Sequence, residues 1–400
     1  MYKEIQVRMR PCEAGDEYEV KRYAAKELKI AAERICRVDV VRRSIDARRK
    51  EVVFNMTLGV HIDKEEHQQT VFEPNYRDVS NAKPVVVIGA GPAGLFAALR
   101  LIERGLRPVV LERGKAVEDR KRDLNSLYKT GIVDEDSNFG FGEGGAGTFS
   151  DGKLFTRSKK RGDVRRAMEI LVFHGADPKI LVDAHPHVGT DKLPGVIVNM
   201  RKTIERCGGE IHFSTKVTNL LIREKQVYGV VAGNKEYVAE HVILATGHSA
   251  RDVYRMLYRC HVALEAKDFA IGLRLEHPQH DIDCIQYHSA EGRGKWLPAA
   301  EYSFVTNVDG RGVYSFCMCP GGVVVPATTG KEQQVVNGMS SSARNTPWAN
   351  SAMVTSVGQE ELRAMNYEGL FAGMEFQEAL ERRAWQEGGG GLYAPAQVLT

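Results

Sequence analysis

Four hundred residues exceed what one ordinary hydrophobic core organises, so two or three domains are expected. Hydrophobic residues at 43% and charged residues at 27% give the balance of a globular chain and exclude a disordered one. The net charge of +3, from 55 basic and 52 acidic residues, is too even for nucleic acid or a membrane surface to be the main partner.

The opening MYKEIQVRMR lacks the apolar segment of a secretory signal. The uncharged run at residues 85–99 is interrupted by three glycines and a proline, whereas a membrane span needs about 20 apolar residues. Seven cysteines at irregular spacing point to a reducing, cytoplasmic setting.

Residues 1–80 read as a small α+β domain: a strand over 4–10, a helix over 20–35, and strands over 37–44 and 51–60 joined by a polar hairpin turn at 44–50. Residues 21–50 hold eleven Lys or Arg against four acids. Two readings stand for that stretch: a solvated helix face and turn, or a docking surface for RNA or an acidic partner. Residues 63–83 are polar and read as a linker.

A second unit, residues 83–262, alternates strands and helices as an α/β domain does. The run at 84–88 predicts a parallel strand buried on both faces. A helix over 95–104 and a strand over 108–111 follow. Further on come a helix over 191–207 with Asp191 as N-cap, strands over 210–213, 216–223 and 226–232, and a buried strand over 241–245. Residues 266–360 read as a mainly β domain, with strands over 269–275, 303–307, 312–319 and 323–326. Residues 361–400 read as the helical segment of an incomplete C-terminal part, with a helix over 362–383 that buries Met374, Ala379 and Leu380.

The sharpest motif is VVVIGAGPAGLFAALRLIERGLRPVVLERG. Gly89, Gly91 and Gly94 fit G-x-G-x-x-G between a buried strand and a helix, the context that gives the motif meaning. Gly89 permits the tight turn, Gly91 lets backbone approach a diphosphate, and Gly94 lets the helix pack on the strand. Pro92 and Ala93 open the helix, whose N–H groups and positive end face the phosphates. Glu112 ends the second strand, 18 residues after Gly94, where it can accept ribose hydroxyls and disfavour a 2′-phosphate.

Two later stretches separate FAD from NAD. GFGEGGAGTFSDGK offers Gly144, Gly145, Gly147, Thr148 and Ser150 to a flavin, and its Phe139, Phe141 and Phe149 surroundings argue against a solvated linker. HVILATGHSARD ends a strand in Thr246 and Gly247; in two-domain flavoproteins such a tripeptide follows a β-meander and lies near the cofactor phosphates, which would set the Val217 backbone toward adenine. Arg120 and Lys121 read either as phosphate contacts or as solvated cations, and Arg113 and His248 are candidates for cofactor contact.

The stretches GAGPAGLFAA, LERG, FGEGGAGTFSDGKL, HVGTDKLPGVI, ATGHSARDVY and SFCMCPGGVVVPA followed by VVNGMSSSARN resemble a bacterial family of FAD-dependent dehydrogenases, largely uncharacterised flavoproteins of the glutathione-reductase-like superfamily. The resemblance runs from about residue 84 to 352. It implies a Rossmann-like FAD domain of the two-dinucleotide-binding-domain type, a small N-terminal domain and a mainly β inserted domain. It also implies oxidoreductase activity on a small-molecule substrate without a firm assignment. The late Gly-Asp or Gly-Glu motif that closes such FAD sites is missing, so a C-terminally truncated chain is expected.

Flavin performs the redox step itself, so the protein needs no nucleophile. Cys317 and Cys319 read either as a redox dithiol or as buried inert thiols pointing in parallel from one strand face. His185 and His187 read either as proton donors or as ordinary loop histidines. No metal site is expected. No second G-x-G-x-x-G is present, so NAD(P)H is expected only as a transient donor. An RNA-modifying or RNA-binding flavoprotein and an inactive fragment are the alternatives.

Overall fold

The computed structural model describes residues 1–63, 72–156 and 162–398. At the N-terminus, β1 (Tyr2–Met9), α1 (Glu17–Leu28), β2 (Ile35–Asp46) and β3 (Val53–Ile62) form an antiparallel sheet with β3 central and α1 against it. Alternation along β1 sends Ile5, Val7 and Met9 inward to meet Met56, Leu58 and Val60. Leu58 and Val60 are fully buried, each contributing about 1.5–3 kcal/mol. Asp16 caps α1 by accepting the Tyr18 N–H, and Lys29, at φ 55°, ends it before the expected boundary. Much of the basic stretch is ion-paired: Arg22 with Glu19, Arg34 with Asp63, Arg37 with Asp39, Arg43 with Asp183, Arg48 with Asp46.

The expected linker lies partly outside the described residues (64–71). Its remainder packs: Val79 is buried, and Phe72, Tyr76 and Ala82 rest on the main core.

The next segment comprises β4 (Pro84–Ile88), α2 (Pro92–Glu103), β5 (Arg107–Leu111), α3 (Val117–Thr130), α4 (Val164–Phe173), α5 (Leu193–Arg206), β6 (Glu210–His212), β7 (Val217–Arg223), β8 (Gln226–Ala232), β9 (Lys235–Val238), β10 (Val242–Leu244) and α6 (Arg251–Arg259). A parallel sheet runs in the order β10-β4-β5-β6. Val87 and Val110 face Leu95, Leu99 and Ile102 of α2 and Met200 and Ile204 of α5. Val86, Ile88, Val109 and Leu111 face the opposite way, onto Val217, Val230 and Ala232. Two covered faces explain why β4 reads as an unbroken apolar run.

Two expectations change here. The meander is β7-β8-β9, not the three strands expected before β10. The strand at 210–212 joins the parallel sheet through β5, and Lys235–Val238 supplies the third meander strand. Asp191 does not cap α5. Its carboxylate takes the Ser342 N–H at 2.6 Å and hydroxyl at 2.8 Å, a partner invisible in local sequence.

The last segment holds β11 (Phe269–Pro278), α7 (Gln279–Tyr287), β12 (Val305–Val308), β13 (Arg311–Cys319), β14 (Gly322–Pro326), β15 (Val336–Ser340), β16 (Trp348–Val357), α8 (Gln359–Ala364) and α9 (Ala372–Glu387). An antiparallel sheet runs β11-β16-β13-β12, beside the β14-β15 hairpin. The helix expected over 362–383 is two helices, parted by Asn366 at φ 64° and Gly369 at φ 90°. Met374 and Leu380 are partly buried but Ala379 is exposed. On α9, Glu381 and Glu378 pair with Arg251 and Arg255 of α6, tying the two segments together.

Candidate functional site

The C-terminal ends of β4, β5 and β10 open on a cavity of about 510 Å³. It lies where the chain departs from β4 to neighbours on either side, the switch point at which open α/β sheets take ligands. Gly89 turns the chain at φ 103°, and a Cβ there would stand 2.6 Å from the Ala245 carbonyl oxygen. Gly91 faces open space, its nearest neighbour on an added Cβ being Gly145 at 3.9 Å. Gly94 presses α2 onto the turn, since a Cβ would come within 1.9 Å of the Gly89 oxygen. Pro92 is the first residue of α2, and no side chain caps the helix, so its N–H groups are left for a ligand.

Of the residues expected at a cofactor, Gly89, Gly91, Pro92, Ala93, Glu112, Arg113, Gly145, Gly147, Val217, Thr246, Gly247 and His248 line this cavity. Sequence reasoning missed Lys216 and, on α6, Asp252, Tyr254 and Leu257. The signal for α6 was available in the apolar spacing of the residues just after the ATG turn.

Glu112 is almost fully buried. One oxygen accepts the Ala90 N–H at 2.7 Å; the other accepts Gly114 at 2.9 Å and Gly142 at 3.1 Å. The carboxylate therefore staples the fingerprint turn to the glycine-rich loop. Arg113 pairs with Asp136 and Asp252 and lies 4.2 Å over the Phe141 ring.

Gly144, Thr148, Ser150 and Arg120 do not line the cavity. Thr148 donates to the Glu143 carbonyl and Ser150 to the Gly147 carbonyl, so both hydroxyls fold the loop on itself. Arg120, expected at the phosphates, is fully buried instead. It donates to the carbonyls of Asn138, Phe139 and Glu143 at 2.7–2.8 Å and to the Thr148 hydroxyl at 3.1 Å. Burial lowers its pKa to about 10. Lys121 is exposed.

His185 and His187 line a different cavity, of about 1230 Å³, walled by the N-terminal sheet and residues 285–301 and 342–344. Burial lowers the His187 pKa, and the ring bonds the Ser342 carbonyl at 3.2 Å. His185 bonds Glu301, which raises the His185 pKa. That contribution to stability is fully present below the unfolded value of about 6.5 and is lost as pH rises through the higher folded value. An NMR titration of His185 is expected to show a midpoint above that of a free imidazole, and Glu301→Gln should bring it below that of a free imidazole, because burial and Arg344 then act unopposed.

Cys317 and Cys319 do not lie on a regular stretch of strand. From Phe316 to Cys319, β13 takes three steps while β16 takes two, from Ala352 to Asn350, and Cys317 sits at φ 47°. The Cys319 thiol donates to the Cys317 carbonyl at 3.4 Å, and Lys153 and Arg274 each lie 3.5 Å from the Cys319 sulfur. Neither thiol lines either cavity.

A parallel sheet with a glycine-lined cleft at its strand ends and a meander on one face defines a dinucleotide-dependent oxidoreductase. Residues 83–257 match a family described as pyridine nucleotide-disulphide oxidoreductase. Residues 268–400 match one described as FAD-dependent protein, C-terminal domain-like, and residues 1–61 match a domain of unknown function. An uncharacterized protein of Clostridium beijerinckii is 41% identical over 392 residues, covering 94% of this chain and 72% of its own length. The chain belongs to the same family of FAD-dependent oxidoreductases, and FAD is its cofactor. Among solved structures, THI4 of Thermovibrio ammonificans is 16% identical over 46% of this chain and 67% of its own, with a TM-score of 0.32. An oxidoreductase of Methanosarcina mazei is 13% identical over 78% and 86%, with a TM-score of 0.30. Likenesses of that strength carry no functional argument. Among the described residues, no helix is long and apolar enough to cross a membrane.

Proposed function

We propose that FAD lies in the glycine-lined cavity, its diphosphate over the N-terminus of α2 and its adenosine toward Glu112 and Val217. The observation that carries this reading is the bare backbone of Gly91 and Gly145, packed against one another in the cavity wall beside an uncapped helix end. The residues present fit the group: α2 offers N–H groups and a positive dipole end to a diphosphate. Glu112 retains acceptor capacity beyond its three amides for a ribose hydroxyl, and its charge opposes a 2′-phosphate. When bound, FAD accepts or donates a hydride; the chain binds and orients it and shapes the surrounding electrostatics.

The reaction is the oxidation or reduction of a small organic molecule, with NAD(P)H as a transient donor that visits the flavin without a nucleotide domain of its own. The division into an N-terminal α+β domain, an FAD domain and a mainly β substrate domain suits this assignment. The seven free cysteines fit a reducing compartment.

The test is the visible absorption spectrum of the purified chain, followed by release of the cofactor on denaturation. Flavin bands, release of FAD rather than FMN, and bleaching by one nicotinamide under anaerobic conditions are expected. A folded chain that carries no flavin and takes up no FAD on reconstitution would overturn the reading.

A further inference from the structure

We propose that the cavity walled by the N-terminal sheet and residues 285–301 is a second ligand site, and that it takes a small organic anion: a carboxylate or phosphate group carried on a flat, apolar body. It shares no lining residue with the glycine-lined cavity, so the flavin reading leaves it without a use. Its volume of about 1230 Å³ exceeds the roughly 300–1,000 Å³ of ordinary small-molecule sites and holds a whole organic molecule rather than a lone ion.

The walls are fixed before any ligand arrives. Strand β2 is clipped to residues 182–184: the Arg43 N–H donates to the Val182 carbonyl and the Ala184 N–H to the Arg43 carbonyl, both at 2.9 Å. From the last segment, the His288 ring donates to the Ala47 carbonyl at 2.8 Å, tying the end of α7 to the turn after β2. A cavity already formed spares the ligand the cost of ordering it.

Charge decides what enters. Six Lys or Arg side chains line the cavity against two acids, Asp183 and Glu301. Both acids are already engaged. Asp183 accepts Arg43 Nε and Nη2 at 3.0 and 2.8 Å, and Glu301 accepts His185. Arg344 is buried, with 9% of its side chain exposed. Asp151 takes its Nε and Nη2 at 3.2 and 2.6 Å. Its Nη1 forms no hydrogen bond among the described residues, since Glu301 Oε2, at 3.9 Å, lies beyond bonding reach. The Asp151 contact thus holds the guanidinium and leaves Nη1 to donate to an anion. Arg293 stands beside it, donating to the Arg344 carbonyl at 3.4 Å. Lys295 is exposed and, among the described residues, has no partner.

Trp296 sets the rest of the ligand. Its indole is 60% exposed, follows Lys295 in sequence, and lines the cavity with Ile285 and Leu297. A large ring left in water at a cavity wall gains most by covering itself with another flat apolar surface. A buried arginine, a free lysine and an open indole around one space select an anion on a ring. The cations reject a cationic molecule, and the indole adds nothing to inorganic phosphate.

Calorimetric titration of the FAD-loaded chain tests this with four probes: 2-naphthoate, a carboxylate on a flat ring; AMP, a phosphate on one; 2-naphthalenemethanol, without charge; and inorganic phosphate, without a ring. Saturable binding of naphthoate or AMP is expected, tighter than that of either control and weakened by added salt. Which of the two binds more tightly distinguishes a carboxylate ligand from a phosphate one. Lys295→Glu should weaken the better probe about fivefold, as reversal of one exposed charge does. Trp296→Ala should weaken it about tenfold through the lost ring contact. Both positions are exposed, so neither change reaches the core. Failure of both ring-bearing anions to bind at millimolar concentration, equal affinity for naphthalenemethanol, or Kd values unmoved by both variants overturns the proposal. So does a short single-stranded RNA that binds when neither probe does. Naphthoate has no nucleotide to offer the glycine-lined cavity, so its titration reads this site even on a chain that carries no flavin, and the two readings fail separately.

Discussion

Arg120→Ala is expected to destabilise the fold by about 3–5 kcal/mol and to strip the chain of FAD. The guanidinium has no exposure to water, yet among the described residues it forms no direct ion pair. Its donors converge on carbonyls of one loop, from Asn138 to Glu143, and on Thr148, and its plane lies 5.0 Å from the centre of the Phe149 ring. Alanine leaves the Asn138 and Phe139 carbonyls buried and unpaired, each at a cost of about 1–3 kcal/mol, and opens a void beneath the loop. Arg120→Met tests the cause, because it fills the void without restoring a donor and should lose nearly as much. Arg120→Lys should also fail, since one ammonium cannot reproduce the planar fork. Urea unfolding and retained flavin are the readouts. If Arg120→Ala unfolds within about 1 kcal/mol of wild type and keeps its cofactor, the loop does not depend on this arginine.

Glu112→Gln is the second large effect, a loss of about 2–4 kcal/mol together with a marked fall in FAD affinity. The three N–H groups of Ala90, Gly114 and Gly142 share two carboxylate oxygens. A glutamine has one acceptor oxygen, so its amide must turn its NH2 toward at least one of those N–H groups, donor against donor. The damage reaches the binding turn because Ala90 sits between Gly89 and Gly91. Isothermal titration of the stripped chain with FAD, beside denaturant unfolding of the same sample, reads both consequences. Unchanged unfolding with weakened FAD binding would mean that Glu112 acts on the ligand alone and not as a staple.

Where structure follows from near neighbours, the sequence was legible. The strand at Pro84–Ile88 matches its expected bounds because a buried parallel strand needs only an apolar run closed by glycine. Gly89, Gly91 and Gly94 sit as the fingerprint requires, each for a reason a few residues long. What escaped depends on distant partners. Arg120 reads as a phosphate-contacting or solvated cation until the loop at 138–148 folds over it. The bulge that holds Cys317 exists only in register with β16. Asp191 looks like a helix cap until Ser342, 151 residues away, offers two donors. The strand at Glu210–His212 sits next to the meander in sequence, yet its hydrogen bonds go to β5.

That last pairing bears on how the chain reaches its native state. The strands β5 and β6 are adjacent in the sheet, but residues 112–209 lie between them, and β10 closes against β4 from still farther along the chain. Closing such long loops is entropically unfavourable until the contacts are complete, so the sheet should assemble slowly. During synthesis, β4 and β5 leave the ribosome long before either outer neighbour exists. Their open edges are then available to other chains, and shielding them falls to helpers in the cell rather than to the native sheet.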